Sequence, residues 1–241
     1  MLDLNPLLRP ERAALVDLLG GLSPEQWTMT TECPGWTVQG IATHLLGDDL
    51  SLLARQRDAQ VPGLLLIAPE HPGKGFRELL DAFNDGWVDA ARFFSPALVV
   101  ELLRTTGEWT ADFYAAVDLT SPGEPVGFFG AAGGPSPFWQ AVAREYVERW
   151  VHQSQIRRAI GMPSLADEPF LRAGLEVIAA AGGGDARMAD GRCSIAGIDL
   201  GPEQQAADLL TRAHTATEVR GLVSGPPDQV DRLVAAMSRP G

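Results

Sequence analysis

The sequence predicts a mainly α protein: an up-and-down four-helix bundle over residues 1–165, followed by a small α/β domain over residues 166–241. Three observations predict it. Apolar residues recur at spacings of three and four through the first two thirds of the chain, and stretches rich in Pro and Gly cut that pattern into long segments. Beyond residue 165 the segments become short and of mixed type.

Leu7, Leu8, Ala14, Leu15, Leu18 and Leu19 lie at helical spacing, and Gly20-Gly21 closes the first helix. Ser23-Pro24 opens a short turn. Cys33-Pro34-Gly35-Trp36 forms a tight connection, after which Thr37 is placed to cap a second helix reaching about Asp58. The apolar face of that helix reads Ile41, Leu45, Leu52 and Leu53, with His44 and Asp48 one turn apart on the same or an adjoining stripe. Residues 61–75 hold three prolines and three glycines and read as a loop, from which residues 64–67 could pack down. Phe76, Leu79, Leu80, Phe83, Trp87, Ala90 and Phe94 mark a third helix; Ser95-Pro96 ends it and caps a fourth, residues 97–117. Residues 121–137 form a second loop. Phe128, Phe129 and the adjoining Phe138 are too bulky for a freely solvated linker and suit the cover of one bundle end.

The fifth helix, residues 138–160, is the longest run without a breaker and ends at Gly161. No strand is expected before residue 165. In the tail, residues 168–181, 202–213 and 228–237 read as helices, and residues 193–198 and the β-branched stretch 215–223 read as strands.

At 241 residues the chain buries a full core without help from a metal. Its formal net charge of −12 argues against nucleic-acid phosphates or an anionic membrane surface as partners. No apolar run spans a bilayer and the first residues lack the pattern of a signal peptide, so a cytoplasmic protein is expected, as monomer or homodimer. Cys33 and Cys193 read as free thiols rather than a disulfide. In its turn Cys33 reads as a modest hydrophobe rather than a nucleophile, and Trp36, Trp87, Trp139 and Trp150 read as core or pocket walls.

Glu148 and His152 stand four residues apart, so a helix presents both side chains on one face, the arrangement that offers two ligands to a metal ion. An inward carboxylate is costly to bury alone; mutual hydrogen bonding, a buried arginine or a cation each answers that cost. His44, on the apolar face of the second helix, is the natural third ligand, because antiparallel bundles build metal sites from facing helices. Two imidazoles and one carboxylate suit zinc, other divalent ions being possible, and leave a coordination position for water or substrate. Asp48, Asp49 or a backbone carbonyl are available to the outer imidazole nitrogens. His71, in a Pro/Gly loop, and His214, in the tail, read as solvated surface residues.

At these residues the chain resembles the mycothiol-dependent maleylpyruvate isomerase family of the DinB-like helical-bundle superfamily. Three stretches carry the resemblance: Cys33-Pro34-Gly35-Trp36-Thr37-Val38 with His44-Leu45 and Gly47; Phe83-Asn84-Asp85 with Trp87; and residues 145–161 with Glu148 and His152. The family places a metal-binding His on its second helix and a Glu-x-x-x-His on a later one, which fall on His44, Glu148 and His152. The resemblance implies zinc, with mycothiol as thiol cosubstrate reaching the open position, and a small electrophile as the second substrate. The family's isomerase also uses an arginine from the C-terminal domain, for which Arg212 and Arg220 are the candidates. No residue is assigned a catalytic role. The expected activity is that of a thiol-using transferase or isomerase. A metal-binding module without turnover and a metal-dependent hydrolase, with Asp48 near an activated water, are the alternatives.

Overall fold

The computed structural model describes residues 1–130 and 134–237. It is mostly helical, with a small antiparallel sheet in the C-terminal third. Two compact units divide the chain, Leu8–Ala116 and Met1–Leu7 with the chain from Val117 onward.

In the Leu8–Ala116 unit, α1 (Asn5–Gly20, all but its first residues) buries Leu8, Leu15, Val16 and Leu19. The turn at Ser23-Pro24 is a single helical turn, α2 (Pro24–Trp27), because Ser23 and Gln26 satisfy each other's backbone N–H in a capping box. Thr37 caps α3 (Val38–Leu52) as expected, its hydroxyl accepting from the Gly40 N–H at 3.2 Å. The helical backbone continues to Arg57, but as a wider π turn, Leu53–Arg57. Within the expected loop 61–75 the chain instead forms α4 (Gly63–Ile67) and a 3-10 turn, Ala68–Glu70. Pro62 presets the helical approach, and Gly63 lets this segment lie against the Phe83 ring, which a Cβ would meet at 2.4 Å. Helices α5 (Phe76–Ala91) and α6 (Pro96–Ala116) follow, both packed on α3. Ile41, Leu45, Leu46, Leu52, Val99, Leu103 and Tyr114 form the core there, together with a buried ion pair of Arg12 and Asp49.

The second unit opens with two-residue strands, β1 (Pro122–Gly123) and β2 (Ser136–Pro137), paired antiparallel across the loop where no strand was expected. The loop aromatics gather at the start of α7 (Phe138–Ala159): Phe129 meets Trp139 edge-on at 5.1 Å, and Phe138 covers Gly123. Helix α7 is locked to α8 (Phe170–Gly182) through Trp150, which is fully buried. Its ring lies so close to Gly174 that a Cβ there would come to 2.4 Å, and its Nε1–H donates to the Leu165 carbonyl at 2.9 Å. The sheet has the order β3-β4-β5, all antiparallel, from Ala186–Ala189, Arg192–Ile195 and Ile198–Pro202, so the single strand expected over 193–198 is two strands. Two-residue turns join them, Asp190-Gly191 and Ala196-Gly197, all four residues at positive φ, as such hairpins require. α9 (Glu203–Leu210), α10 (Ala216–Leu222) and α11 (Pro227–Met237) complete the unit.

The α10 segment corrects the strand expected over 215–223. Its β-branched residues favour strand, but Thr215 and Glu218 form a capping box, the Thr215 N–H reaching the Glu218 carboxylate at 2.7 Å, and that local closure starts a helix. Among the described residues no helix is long and apolar enough to cross a membrane.

Both cysteines are free thiols. Cys193 on β4 is 1% exposed, and burial, reinforced by nearby Glu203, pushes its thiol up to about 11. At pH 8 Ellman's reagent is therefore expected to titrate only the half-buried Cys33 in folded protein, and both thiols once it is denatured. Rapid loss of two thiols from folded protein would contradict this environment. Because the folded thiol holds its proton more tightly than an ordinary cysteine, its share of stability is complete below pH 9 and is lost as pH rises through about 11.

Candidate metal centre

His44 lies on α3, 3% exposed, and its surroundings explain the sequence stretches around it. The turn before the helix closes with the Trp36 N–H donating to the Cys33 carbonyl at 3.1 Å, with Gly35 at φ +82°, a backbone that glycine adopts without strain. That turn sets the Trp36 ring 4.9 Å from the His44 imidazole, tilted by 42°. Trp36 is fixed from α5, where Asp85 accepts its Nε1–H at 3.0 Å. Two residues on, Trp87 donates its own Nε1–H to the Thr43 carbonyl at 2.6 Å, with its ring against Gly47. The aromatic and acidic residues of α5 thus hold the helix turn that carries His44. Asp48, one turn on, places Oδ2 3.5 Å from His44 Nε2, at the outer limit of a hydrogen bond. Asp49 is not available to the imidazole: it is fully buried, receives Arg12, and accepts the Thr106 hydroxyl at 2.6 Å.

In the other unit, α7 brings Glu148 and His152 together as their spacing predicts, with His152 Nε2 3.0 Å from Glu148 Oε1. His152 is 9% exposed and Glu148 half-buried. Sequence reasoning missed Gln155, buried on the same helix, whose Oε1 lies 2.8 Å from His152 Nδ1. An amide oxygen there favours a proton on Nδ1, which would leave the Nε2 lone pair toward the Glu148 carboxylate; a protonated Nε2 would instead donate to that carboxylate. A proton or a cation joins the imidazole to the carboxylate. The 3.0 Å spacing is that of an ordinary N–H···O hydrogen bond and lies a few tenths of an ångström inside the ~3.3 Å between adjacent ligand atoms of a tetrahedral ion, so small side-chain shifts would admit one. An acceptor three residues after a ligand histidine is the signal that points to Gln155. After such small shifts the pair fits a divalent ion.

Among the neighbouring basic residues, Arg144 pairs with Glu145, and Arg158 reaches Ser164 Oγ at 2.5 Å and Thr211 Oγ1 at 2.7 Å, tying the end of α7 to the tail. In the C-terminal elements, Arg220 pairs with Asp231. His71 and His214 are both half-buried.

The family model described as the mycothiol maleylpyruvate isomerase N-terminal domain matches residues 8–157. The chain belongs to this family. The match covers α1 through nearly all of α7, and so includes both the histidine of α3 and the Glu148–His152 pair. No curated protein and no solved structure compared with the chain matches it. Family membership accounts for the mainly helical fold, and the family's description suggests a thiol-related role.

Proposed function

We propose that the protein is a metal-dependent enzyme that uses mycothiol, a transferase or isomerase that joins the thiol sulfur to a small electrophile. Three ligands serve it: His44, Glu148 and His152 together hold one divalent ion, for which zinc suits two imidazoles and a carboxylate. The observation that carries the reading is the Glu148–His152 pair, set close to ligand spacing and oriented by Gln155, in a chain of the mycothiol-related family.

A bound cation favours thiolate over thiol, and so supplies a sulfur nucleophile at neutral pH. The chain's own residues do the rest. Gln155 favours the His152 tautomer whose Nε2 can act as a ligand, and Trp36 and the α5 contacts keep His44 in one orientation. Asp48, beside His44, is placed to take up the thiol proton when the thiolate forms, and to deliver it to the carbon or heteroatom of the electrophile that takes up the electron pair as the carbon–sulfur bond forms. In an isomerisation, after rotation about the former double bond, Asp48 takes that proton back as the sulfur leaves and the double bond re-forms; in a transfer both sulfur and proton stay. We place this site in a metal-binding domain of residues 1–165, with residues 166–241 as a small appended domain, a division supported by a family match that ends at residue 157.

Purified protein is expected to carry about one zinc per chain by mass spectrometry of its metals, and His152→Ala to carry almost none. Titration of mycothiol into the two proteins should show binding to the first alone. Equal metal in both would overturn the assignment, and metal without thiol affinity would leave a binding module in place of the enzyme.

A further inference from the structure

A cavity of about 390 Å³ lies inside the Leu8–Ala116 unit, with His44 and Asp48 on its wall. Taking the thiol-transfer reading above as its basis, we propose that this cavity holds the electrophile, and that it selects a compact, largely apolar body of aryl or medium-chain alkyl type rather than a small dicarboxylate.

The walls are apolar and held in place. Trp87 and Phe83 form one side, and each ring owes its position to a glycine across from it: a Cβ on Gly47 would stand 2.5 Å from Trp87, and one on Gly63 would stand 2.4 Å from Phe83. The indole is pinned further by its hydrogen bond to the Thr43 carbonyl. Rigid aromatic walls recognise flat or chain-like apolar groups at small entropic cost. The π turn Leu53–Arg57 also brings Ala54 and Arg55 to the lining, the kind of local widening that is common where helices build functional sites. The mouth is apolar too, since Val61 and Leu66 line the cavity and are 53% and 64% exposed.

Size and charge point the same way. A closed apolar cavity of about 150 Å³ already accommodates benzene, so this one takes a bicyclic or similar body. Its charged wall residues are one acid, Asp48, and one base, Arg55, which leave no net field to draw in a dianion. Desolvating two carboxylates against such walls is costly, with Asp48 repelling whichever lies nearer His44. The hydroxyl-rich body of mycothiol is equally ill-suited to this lining, so the cavity falls to the second substrate.

Two probes test this on the full-length protein by calorimetry, 2-naphthol for the apolar class and maleate for the dicarboxylate class. We expect 2-naphthol to bind at least about tenfold more tightly than maleate. Ala54→Phe, which fills the cavity, and Leu66→Glu, which charges its exposed mouth, should each weaken 2-naphthol by about tenfold or more, with metal content unchanged. His152→Ala should lose metal and keep its 2-naphthol affinity, so that failure of the metal site and failure of the cavity are read separately. Maleate binding as tightly as 2-naphthol, or 2-naphthol affinity unmoved in both cavity variants, would overturn the proposal.

Discussion

Asp49→Ala is expected to lower the unfolding free energy by about 3–5 kcal/mol, the cost of leaving a buried charge without its partner. Asp49 is 0% exposed and Arg12 4%, and two guanidinium nitrogens meet the two carboxylate oxygens at 2.8 Å each. Further contacts hold the pair: the Thr106 hydroxyl donates to Asp49 at 2.6 Å, and Arg12 Nη1–H donates to the Leu103 carbonyl at 3.1 Å. Gly107 makes room for the arginine stem, which a Cβ would meet at 2.5 Å. Since α1, α3 and α6 each supply part of this network, its loss loosens the packing of all three. Urea unfolding followed by tryptophan fluorescence measures the effect. The double variant Arg12→Met/Asp49→Leu should recover most of the loss, because an apolar pair of similar volume removes both charges at once. A fall of less than about 1 kcal/mol in the single variant would mean that the pair is solvated and contributes as a surface pair does.

That network also shows where the sequence was hard to read. Asp49 stands beside Asp48 in the chain, and both looked available to an imidazole. On a helix, neighbours diverge by 100°, and Asp49 turns to Arg12 while Asp48 faces His44. The helices themselves were legible because their signals are local: Thr37 as cap, Ser95-Pro96 between two helices, and the four-residue step from Glu148 to His152. Residues 215–223 were misread because β-branched content outweighed a capping box that was present in the letters as Thr-x-x-Glu. The β3–β4 hairpin was missed although Asp190-Gly191 is a strong turn signal, since the strands on either side are only four residues long and carry little alternation. The cavity was beyond sequence reasoning. It depends on Gly47 and Gly63, two residues 16 positions apart, each lying against a different ring of α5, and no periodicity reports such contacts.

The three ligands should differ from the residue that orients one of them, and that difference tests the proposed centre. Cobalt(II) is a useful probe, because its visible absorption reports both affinity and a four-coordinate geometry. Glu148→Gln keeps the shape of the side chain but gives up its negative charge, and should weaken cobalt binding by more than about a hundredfold, beyond the range expected of outer partners. Gln155→Leu leaves every ligand in place and removes the acceptor 2.8 Å from Nδ1 of His152, so the imidazole loses its favoured tautomer and orientation. Its cost should lie within about 10- to 100-fold, with the absorption band retained at saturating metal. His44→Ala then decides whether one ion joins α3 to α7. If His44 is a ligand, its loss should match that of Glu148→Gln and change the spectrum as well, because a ligand field that loses a nitrogen donor shifts even where the ion still binds. Unaltered affinity and spectrum in His44→Ala would reduce the centre to the Glu148–His152 pair, and the thiol chemistry proposed for it would lose the third ligand on which an open, reactive site depends.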